Sequence, residues 1–358
     1  MKRIVIMNAV VALILMQSLL VSAKSWQQVT KEKKVHNQYT VHDMDKLEID
    51  NSYGKVHINT WDKNEITIDI SVTAKARTED QAQEVLDRIS FLMSSNEDGG
   101  HKVFCKTIIE PQKHNLKESS MEINYTIYAP KKNAIDISNK YGDVYLADFI
   151  GKMRMYVSYG GLDMQTISGS DKKIKVAFGS AMLSSIESGT FDISYSNLTI
   201  DKAVDIDVTN KFGNSDIALV QNLKIDQKYG NIELGAVNNV SGSIDYTNIE
   251  IDNLQKSANL TMKYCGKADF KSIGANVEQL NIDAYYSDMV FHFAEDANLT
   301  ADITTSYSNI KKLASFKGFD LTVVSQGNMG NSGHYKLKVG KGDGSANING
   351  HYSNINFK

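Results

Sequence analysis

The residue types that perform acid–base, nucleophilic or phosphate chemistry are scattered along this chain of 358 residues. The sequence contains no G-x-S-x-G nucleophile elbow, no G-x-x-x-x-G-K-[ST] phosphate loop and no H-E-x-x-H zinc motif. Gly340-Lys-Gly-Asp-Gly344 resembles a phosphate loop only superficially, because the alternating segment Ser-Ala-Asn-Ile-Asn follows it. We therefore predict a turn that leads into a strand at this position.

Histidine and cysteine do not form a metal-binding pattern. Isolated histidines lie without partners at metal-ligand spacing, and we expect them at the solvated surface: His36, His42, His101, His114, His292, His334 and His351. Nothing in the sequence places Cys105 near Cys265, and a large β protein does not need a disulfide as a small secreted domain does. We expect two free thiols, with a disulfide as the open alternative.

A polysaccharide lyase or hydrolase is the enzyme alternative, because many of these enzymes are parallel β-helices. They need two carboxylates at glycosidic distance, or a basic residue beside a calcium cluster. The chain has no Asp-Asp dipeptide and only three arginines after residue 23. Several aspartates fall on successive predicted strands but not at one fixed place: Asp207, Asp226, Asp245 and Asp283. We therefore assign no catalytic, cofactor-binding or metal-binding residue and no cofactor, and we leave the binding residues unassigned.

A short motif recurs along most of the chain: an aromatic residue, a small residue, then Asn or Asp. Two copies are Ile137-Ser-Asn-Lys-Tyr141-Gly-Asp-Val144 and Ile225-Asp-Gln-Lys-Tyr229-Gly-Asn-Ile232. Aromatic residues recur at intervals of 17 to 22 residues: Tyr141, Tyr159, Phe178, Tyr195, Phe212, Tyr229, Tyr246, Tyr264, Tyr286 and Tyr307. Tyr53 precedes the series and Tyr352 closes it. This regularity indicates a stack of repeats.

Each copy alternates with a period of two, as a β-strand does. Because Ile135, Ile137 and Tyr141 have the same parity, we predict that the aromatic column points into the core. The alternative is an exposed aromatic row that binds glycans or peptides. We interpret the asparagine column as turn chemistry: Asn197, Asn214, Asn231, Asn248 and Asn309. The predicted fold class is all-β, a single-stranded parallel β-helix (β-solenoid), right-handed, with rungs of 17 to 22 residues.

Residues 1–23 have the pattern of a secretory signal peptide. Lys2 and Arg3 precede an apolar run, and Val21-Ser-Ala23 has the small residues of a cleavage site. Cleavage after Ala23 predicts an exported protein, periplasmic, outer-membrane-associated or at the cell surface, with no spanning segment left. The formal net charge is −3 and no basic stripe is present, which argues against a nucleic-acid partner.

Residues 24–134 lack the tight repeat, and we predict a separate N-terminal β region there. A capping box at Thr78 and Gln81 and an apolar stripe predict one amphipathic helix over 78–93: Ala82, Val85, Leu86, Ile89 and Met93. Residues 135–358 are predicted to form the solenoid. Its last copy, Tyr352-Ser-Asn-Ile-Asn-Phe357, is predicted to be a C-terminal capping rung.

Several segments carry a family resemblance: Ile49-Asp-Asn-Ser-Tyr-Gly-Lys-Val56, Thr60-Trp-Asp62, the helix at 78–93, Tyr125-Thr-Ile-Tyr-Ala-Pro130 and Asn139-Lys-Tyr-Gly-Asp-Val144. With them the chain resembles the bacterial adhesin-like family of exported head-GIN-type β-helix proteins, common in Bacteroidetes. The resemblance implies an envelope or surface protein with a single-stranded right-handed β-helix and no assigned catalytic residues.

The function that we predict is that of a non-enzymatic, exported envelope or surface protein. Its solenoid would act as an adhesin-like scaffold or binding surface for an envelope protein, a surface protein or a glycan. Two alternatives stay open, since fold alone does not assign function. One is a polysaccharide-active β-helix enzyme, and the other is a periplasmic sensor or assembly partner.

Overall fold

The computed structural model describes residues 28–95, 101–112, 118–312, 318–327 and 332–358. The predicted signal peptide, residues 1–23, and His114 lie outside these ranges. The described chain is nearly all β. Its single described helix has nine residues, which is too short to cross a membrane.

Strands make up most of the described chain, and their alternating burial follows the alternating sequence pattern. The N-terminal region contains β1 (Val29–Thr40), β2 (Lys46–Ser52), β3 (Val56–Trp61), β4 (Glu65–Ala76), α1 (Glu79–Asp87), β5 (Ile89–Ser94), β6 (Lys102–Ile109) and β7 (Ser120–Pro130). The repeats begin with β8 (Ala134–Lys140), β9 (Val144–Leu146), β10 (Met153–Ser158), β11 (Gly161–Ile167), β12 (Lys172–Ala177), β13 (Ser180–Ser194), β14 (Asn197–Lys211), β15 (Ser215–Lys263) and β16 (Ala268–Ile273). They are followed by β17 (Gln279–Tyr285), β18 (Asp288–Phe293), β19 (Leu299–Ser306), β20 (Asn309–Lys312), β21 (Phe319–Gln326), β22 (Ser332–Val339), β23 (Gly344–His351) and β24 (Asn354–Phe357).

The helix begins as predicted but ends earlier. Thr78 is the N-cap, and its hydroxyl accepts a hydrogen bond from the Gln81 backbone N–H at 3.3 Å. The helix stops at Asp87, so the predicted end at residue 93 is wrong. Residues 89–94 instead form β5, which pairs antiparallel with β6. A run of Ile, Phe, Leu and Met satisfies either period, and the available partner strand decides the outcome here.

Successive repeats pair as parallel strands in a constant register. β13 pairs with β14 and β14 with β15, which aligns Ala181, Leu198 and Ser215. Side-chain hydrogen bonds link equivalent asparagines that lie 17 residues apart. The N-terminal region continues this pattern, because β2 pairs parallel with β8 and β3 pairs parallel with β9.

The sheet as a whole contains both parallel and antiparallel pairs, whereas the predicted fold class had parallel pairs alone. Antiparallel pairs join β1 to β4, β4 to β7 and β5 to β6. At the other end, β22 lies antiparallel to both β19 and β21. An antiparallel pair needs only a short reversing connection, whereas each parallel pair needs a longer crossover.

The C-terminal segment lies inside the stack, so the prediction that it caps the solenoid is wrong. β23 pairs parallel with β17 on one side and with β19 on the other. β24 lies between β18 and β20 in the same way. The connection from β22 is held by Asn298, whose Oδ1 accepts hydrogen bonds from the backbone N–H groups of Gly342 (2.6 Å) and Asp343 (3.1 Å).

Inward-facing aliphatic and aromatic residues form one contiguous core along the stack. Leu47 and Val56 lie in it near the start of the described chain, and Ile355 and Phe357 lie in it at the end. This core fixes which strand positions face solvent, because a slip of one residue would turn every buried side chain outward.

Candidate binding surface: the aromatic ladder

The repeated aromatic residues form an exposed row along the stack, so the prediction that they point into the core is wrong. Each side chain is between 41% and 61% exposed. Neighbouring rings stack with centroids 4.8 to 5.2 Å apart. In spatial order this aromatic ladder consists of Tyr53, Tyr141, Tyr159, Phe178, Tyr195, Phe212, Tyr229, Tyr246, Tyr264, Tyr286, Tyr352 and Tyr307.

A left-handed backbone at each ring explains the outward direction. All twelve ladder residues have φ between +50° and +63°. In the first repeat the alternation holds through Ile137 and the buried Asn139, and then Lys140 and Tyr141 are both exposed. Strict alternation would turn the Tyr141 ring inward. The left-handed backbone at this residue interrupts the alternation, and the ring points to solvent instead.

Six of the twelve rings are followed by a glycine, and the close approach of the preceding repeat requires it there. A Cβ atom at Gly142 would lie 2.0 Å from the carbonyl oxygen of Gly54. A Cβ atom at Gly213 would lie 1.8 Å from the carbonyl oxygen of Ser196. Glycine lets these backbones approach closely without a clash.

Other repeats place a buried hydroxyl or thiol residue after the ring. Ser196 Oγ accepts a hydrogen bond from the Gly179 backbone N–H at 2.9 Å and donates one to the Ser194 carbonyl at 2.8 Å. Such side chains satisfy backbone groups that the turn leaves without a ladder partner. The same position is held by Thr247, Cys265, Ser287, Ser308 and Ser353.

The asparagine column acts as turn chemistry, as predicted. Asn197 Oδ1 accepts from the Asn214 backbone N–H at 3.0 Å, and Asn214 Oδ1 accepts from the Asn231 backbone N–H at 3.0 Å. Asn248 Nδ2 donates to Asn231 Oδ1 at 3.2 Å. These exposed amides tie each turn to the next and hold the neighbouring rings in register.

The stacking determines which part of each ring meets solvent. From Tyr159 to Phe212 the interplanar angles are 4° to 6°, so adjacent rings cover each other's faces. Only the end rings, Tyr53 and Tyr307, have one face without a ladder neighbour. The solvent therefore meets ring edges and phenol hydroxyls, and ring edges carry the positive end of the aromatic quadrupole.

Lysines border the ladder on the side of the preceding strand. Lys140 Nζ lies 4.9 Å from the centroid of the Tyr141 ring, within cation–π distance. Lys228 Nζ lies 5.8 Å from the Tyr229 centroid and 6.0 Å from the Tyr246 centroid. The ladder thus combines hydroxyl, amide and ammonium donors along one line.

The structure does not bring together the aspartates that fall on successive predicted strands. Asp207 pairs with Lys224 at 3.4 Å, Asp245 pairs with Lys228 at 3.7 Å, and Asp283 accepts from Asn349. Within the described ranges, no group of three or more His, Cys, Asp or Glu side chains is placed to hold a metal ion.

Some of the histidines predicted at the solvated surface are exposed, and others are not. His36, His42 and His101 are exposed as predicted. His292, His334 and His351 are half-buried instead. The half-buried rings have specific partners, which are Asp269 at 3.1 Å, Asp302 at 3.0 Å and the Tyr285 ring at 4.7 Å respectively.

Two thiols and one lysine are buried, and their surroundings fit a structural role. Cys105 and Cys265 are both free, and burial raises the pKa of each thiol, which keeps both protonated. Burial lowers the pKa of Lys172. Its Nζ donates to the carbonyl oxygens of Ile150, Gly151 and Ser170 at 2.9, 2.7 and 3.0 Å, which satisfies its three donors.

The alternation of residues along each strand wrongly predicted that the aromatic ladder lies in the core. The repeated motif itself contains the information that the rings are exposed. A small residue and an Asn or Asp directly after the ring mark a turn, and turn residues commonly adopt positive φ. A ring inside the turn no longer obeys strand parity.

No family model and no curated protein matches the chain. Solved structures with weak likeness include a candidate adhesin from Parabacteroides distasonis, with 11% identity and a TM-score of 0.33, over 72% of this chain and 96% of that chain. A candidate adhesin from Bacteroides fragilis has 13% identity and a TM-score of 0.27, over 91% and 97%. A candidate cell adhesion protein from Clostridium sporogenes has 10% identity and a TM-score of 0.20, over 92% and 99%. Likeness at this level shows neither a family nor a function for this chain.

Proposed function

We propose that this protein is a non-enzymatic, adhesin-like surface protein that binds its partner through the aromatic ladder. The single observation that supports the proposal is the exposed, unbroken row of twelve stacked rings. The partner is a surface protein, an envelope protein or a glycan. Export by the signal pattern of residues 1–23 and a location at the envelope or cell surface belong to the same proposal.

The proposed architecture is a right-handed, single-stranded β-helix, flanked by antiparallel strands. Parallel pairing of equivalent residues in successive repeats supports it. Right-handed winding follows the general preference of parallel crossovers. Such a stack repeats the same side chains at a constant interval, and therefore presents an extended surface to an extended partner.

The exposure of the rings supports a binding role. A half-exposed aromatic row fits the residue preference of interfaces, where Tyr is enriched.

The test applies the chain without residues 1–23 to arrays of glycans and of envelope and matrix proteins. We expect binding that is lost when Tyr195, Phe212, Tyr229 and Tyr246 are all replaced with Asn. A second variant, Tyr195→Phe with Tyr229→Phe and Tyr246→Phe, removes only hydroxyls and keeps the rings that the chain itself uses at Phe178 and Phe212.

The matched control removes exposed apolar side chains that are not part of the ladder, with Tyr156→Ser, Met182→Ser and Leu219→Ser. This control is expected to bind like the natural sequence. The proposal fails if the natural chain binds no array component. It also fails if the folded Asn variant, checked by circular dichroism, binds as well as the control.

A further inference from the structure

We propose that the partner of the aromatic ladder is the ladder of a second copy of this chain, so that two copies pair side by side. This inference rests on the proposed function and names its partner. Neighbouring rings of the central ladder, from Tyr195 to Tyr264, lie 4.8 to 5.1 Å apart. An extended peptide advances about 3.3 Å per residue and falls out of register with that spacing. A second ladder has the same period, so each repeat can meet its equivalent.

The parts of the rings that face solvent suit an identical row. Ten of the twelve ladder rings belong to tyrosines, and a phenol hydroxyl both donates and accepts a hydrogen bond. Because neighbouring rings cover each other's faces, a second copy meets hydroxyls and ring edges. A row of such hydroxyls is therefore complementary to a copy of itself.

The exposed area of the ladder is large enough for a stable dimer. Each ring is between 41% and 61% exposed. A fully buried aromatic side chain removes about 150–250 Å² from water, so the exposed parts of twelve rings amount to about 1,000 Å². A standard interface buries about 800 Å² on each partner. Contact along most of the ladder would reach that size.

Opposite charges border the ladder in two adjacent repeats. In each repeat a lysine directly precedes the ring and a carboxylate follows the ring by four positions: Lys211 with Asp216, and Lys228 with Glu233. A two-fold axis parallel to the ladder brings the lysine side of one copy opposite the carboxylate side of the other. Lys211 then faces Asp216 of the second copy, Lys228 faces Glu233 of the second copy, and symmetry repeats both pairs.

Three of these four side chains have no charge partner in their own chain. Within the described ranges, Lys211, Asp216 and Glu233 form no ion pair, while Lys228 Nζ lies 3.7 Å from Asp245 Oδ2. Exposed ion pairs add little affinity, but complementary charge selects the partner and its orientation. The unpaired charges therefore favour the arrangement in which the ladders run in the same direction.

Charges of the other sign on each side are neutralised or lie further from the rings. On the lysine side, Asp245 has Lys228 as its partner, and Asp226 lies three positions before its ring, behind Lys228. On the carboxylate side, Lys267 Nζ lies 2.8 Å from Asp269 Oδ2. The free charges next to the central rings are thus basic on one side and acidic on the other.

The experiment is sedimentation velocity centrifugation of the chain without residues 1–23 at increasing concentration. We expect a monomer at low concentration and a dimer as the concentration rises. The variant Lys211→Glu with Lys228→Glu makes both sides of the ladder acidic, and Asp216→Lys with Glu233→Lys makes both sides basic. Each variant alone should dimerise at least tenfold more weakly, because like charges then face each other. An equimolar mixture of the two should recover the dimer, which also shows that both variants are folded.

The matched control is Lys173→Glu with Lys202→Glu, which reverses two exposed lysines outside the borders of the central rings. It should dimerise like the natural chain. The inference is overturned if the natural chain is monomeric at every concentration, if the control weakens the dimer equally, or if the mixture does not recover it. It is also overturned if the folded Asn variant of the array experiment dimerises like the natural chain. If arrays show ring-dependent binding to a glycan or another protein while the chain stays monomeric, the proposed function stands and only this inference falls.

Discussion

Each ladder ring is held by a backbone conformation that side chains usually avoid and by contacts to two neighbouring rings. Tyr229 has φ of +61° and stacks on Phe212 at 4.9 Å and on Tyr246 at 5.1 Å. Its side chain is 42% exposed, so it does not contribute the free energy of a buried aromatic residue. The truncation of such a ring removes stacking but leaves no cavity.

Tyr229→Asn is therefore expected to lower the free energy of unfolding by only about 1 kcal/mol, because lost stacking is partly offset by a residue that tolerates positive φ. Phe191→Ala removes a fully buried ring and should cost about 3–5 kcal/mol. Denaturant melts of both variants check the difference. Equal losses would mean that the ladder rings are part of the core.

The glycine at the turn is expected to be intolerant of a methyl group. In Gly213→Ala the Cβ would meet the Ser196 carbonyl oxygen at 1.8 Å, which forces two repeats apart and should cost about 2–3 kcal/mol. Gly274→Ala is the control, since the nearest atom would be Asp296 Oδ1 at 3.8 Å, and it should stay within about 0.5 kcal/mol. Thermal melts that show similar shifts for both variants would contradict the close approach of the repeats.

At the scale of the elements, the sequence predicts strands well where parity is unbroken. Ile135 and Ile137 are buried as their alternation requires, and the Thr78 cap begins the helix. Tyr141 is where parity fails, because one left-handed residue resets the alternation and no period-two rule includes that reset. The end of the helix could not be predicted from the local sequence either. The choice between helix and strand at Ile89 depends on pairing with β6, which lies distant in sequence.

The position of the last repeat also depends on contacts that local sequence does not encode. Its motif predicts a repeat of the same kind, and Tyr352 indeed stacks in the ladder, between Tyr286 at 4.8 Å and Tyr307 at 5.0 Å. The chain runs back along the sheet through β22, and this determines which strands the last repeat pairs with. The longer intervals on either side of Tyr286 and the gap of 45 residues between Tyr307 and Tyr352 indicate an irregular end.

Removal of the segment after Asp343 should open a gap between β17 and β19 rather than expose an end. Ile348, Ile355 and Phe357 are fully buried, so the truncated chain loses core contacts on both sides of the gap. We expect loss of near-ultraviolet circular dichroism and its recovery on addition of a peptide with the sequence of residues 344–358.

A peptide that carries Ile348→Asp is the control and should not restore the signal, because it would bury a charge in the gap. A truncated chain with the spectrum and melting temperature of the full chain would show that this segment is an appendage.

At the scale of the whole molecule, one core orders the stack and one row of exposed rings extends along it. The core sets strand parity, the turns set the left-handed residue, and the constant register aligns the rings. The ladder is thus a consequence of repetition, and a ligand that contacts its whole length lies along the stack.

The measurement that tests this account most directly is tyrosine nitration of the free protein, followed by mass spectrometry. Tyr195 and Tyr229 should react readily, because the ladder leaves their ring edges in solvent. Tyr156, which is exposed outside the ladder, should react to a similar extent, and the buried Tyr125 should not react. Ladder tyrosines as unreactive as Tyr125 would contradict the claim that the ladder is an exposed surface.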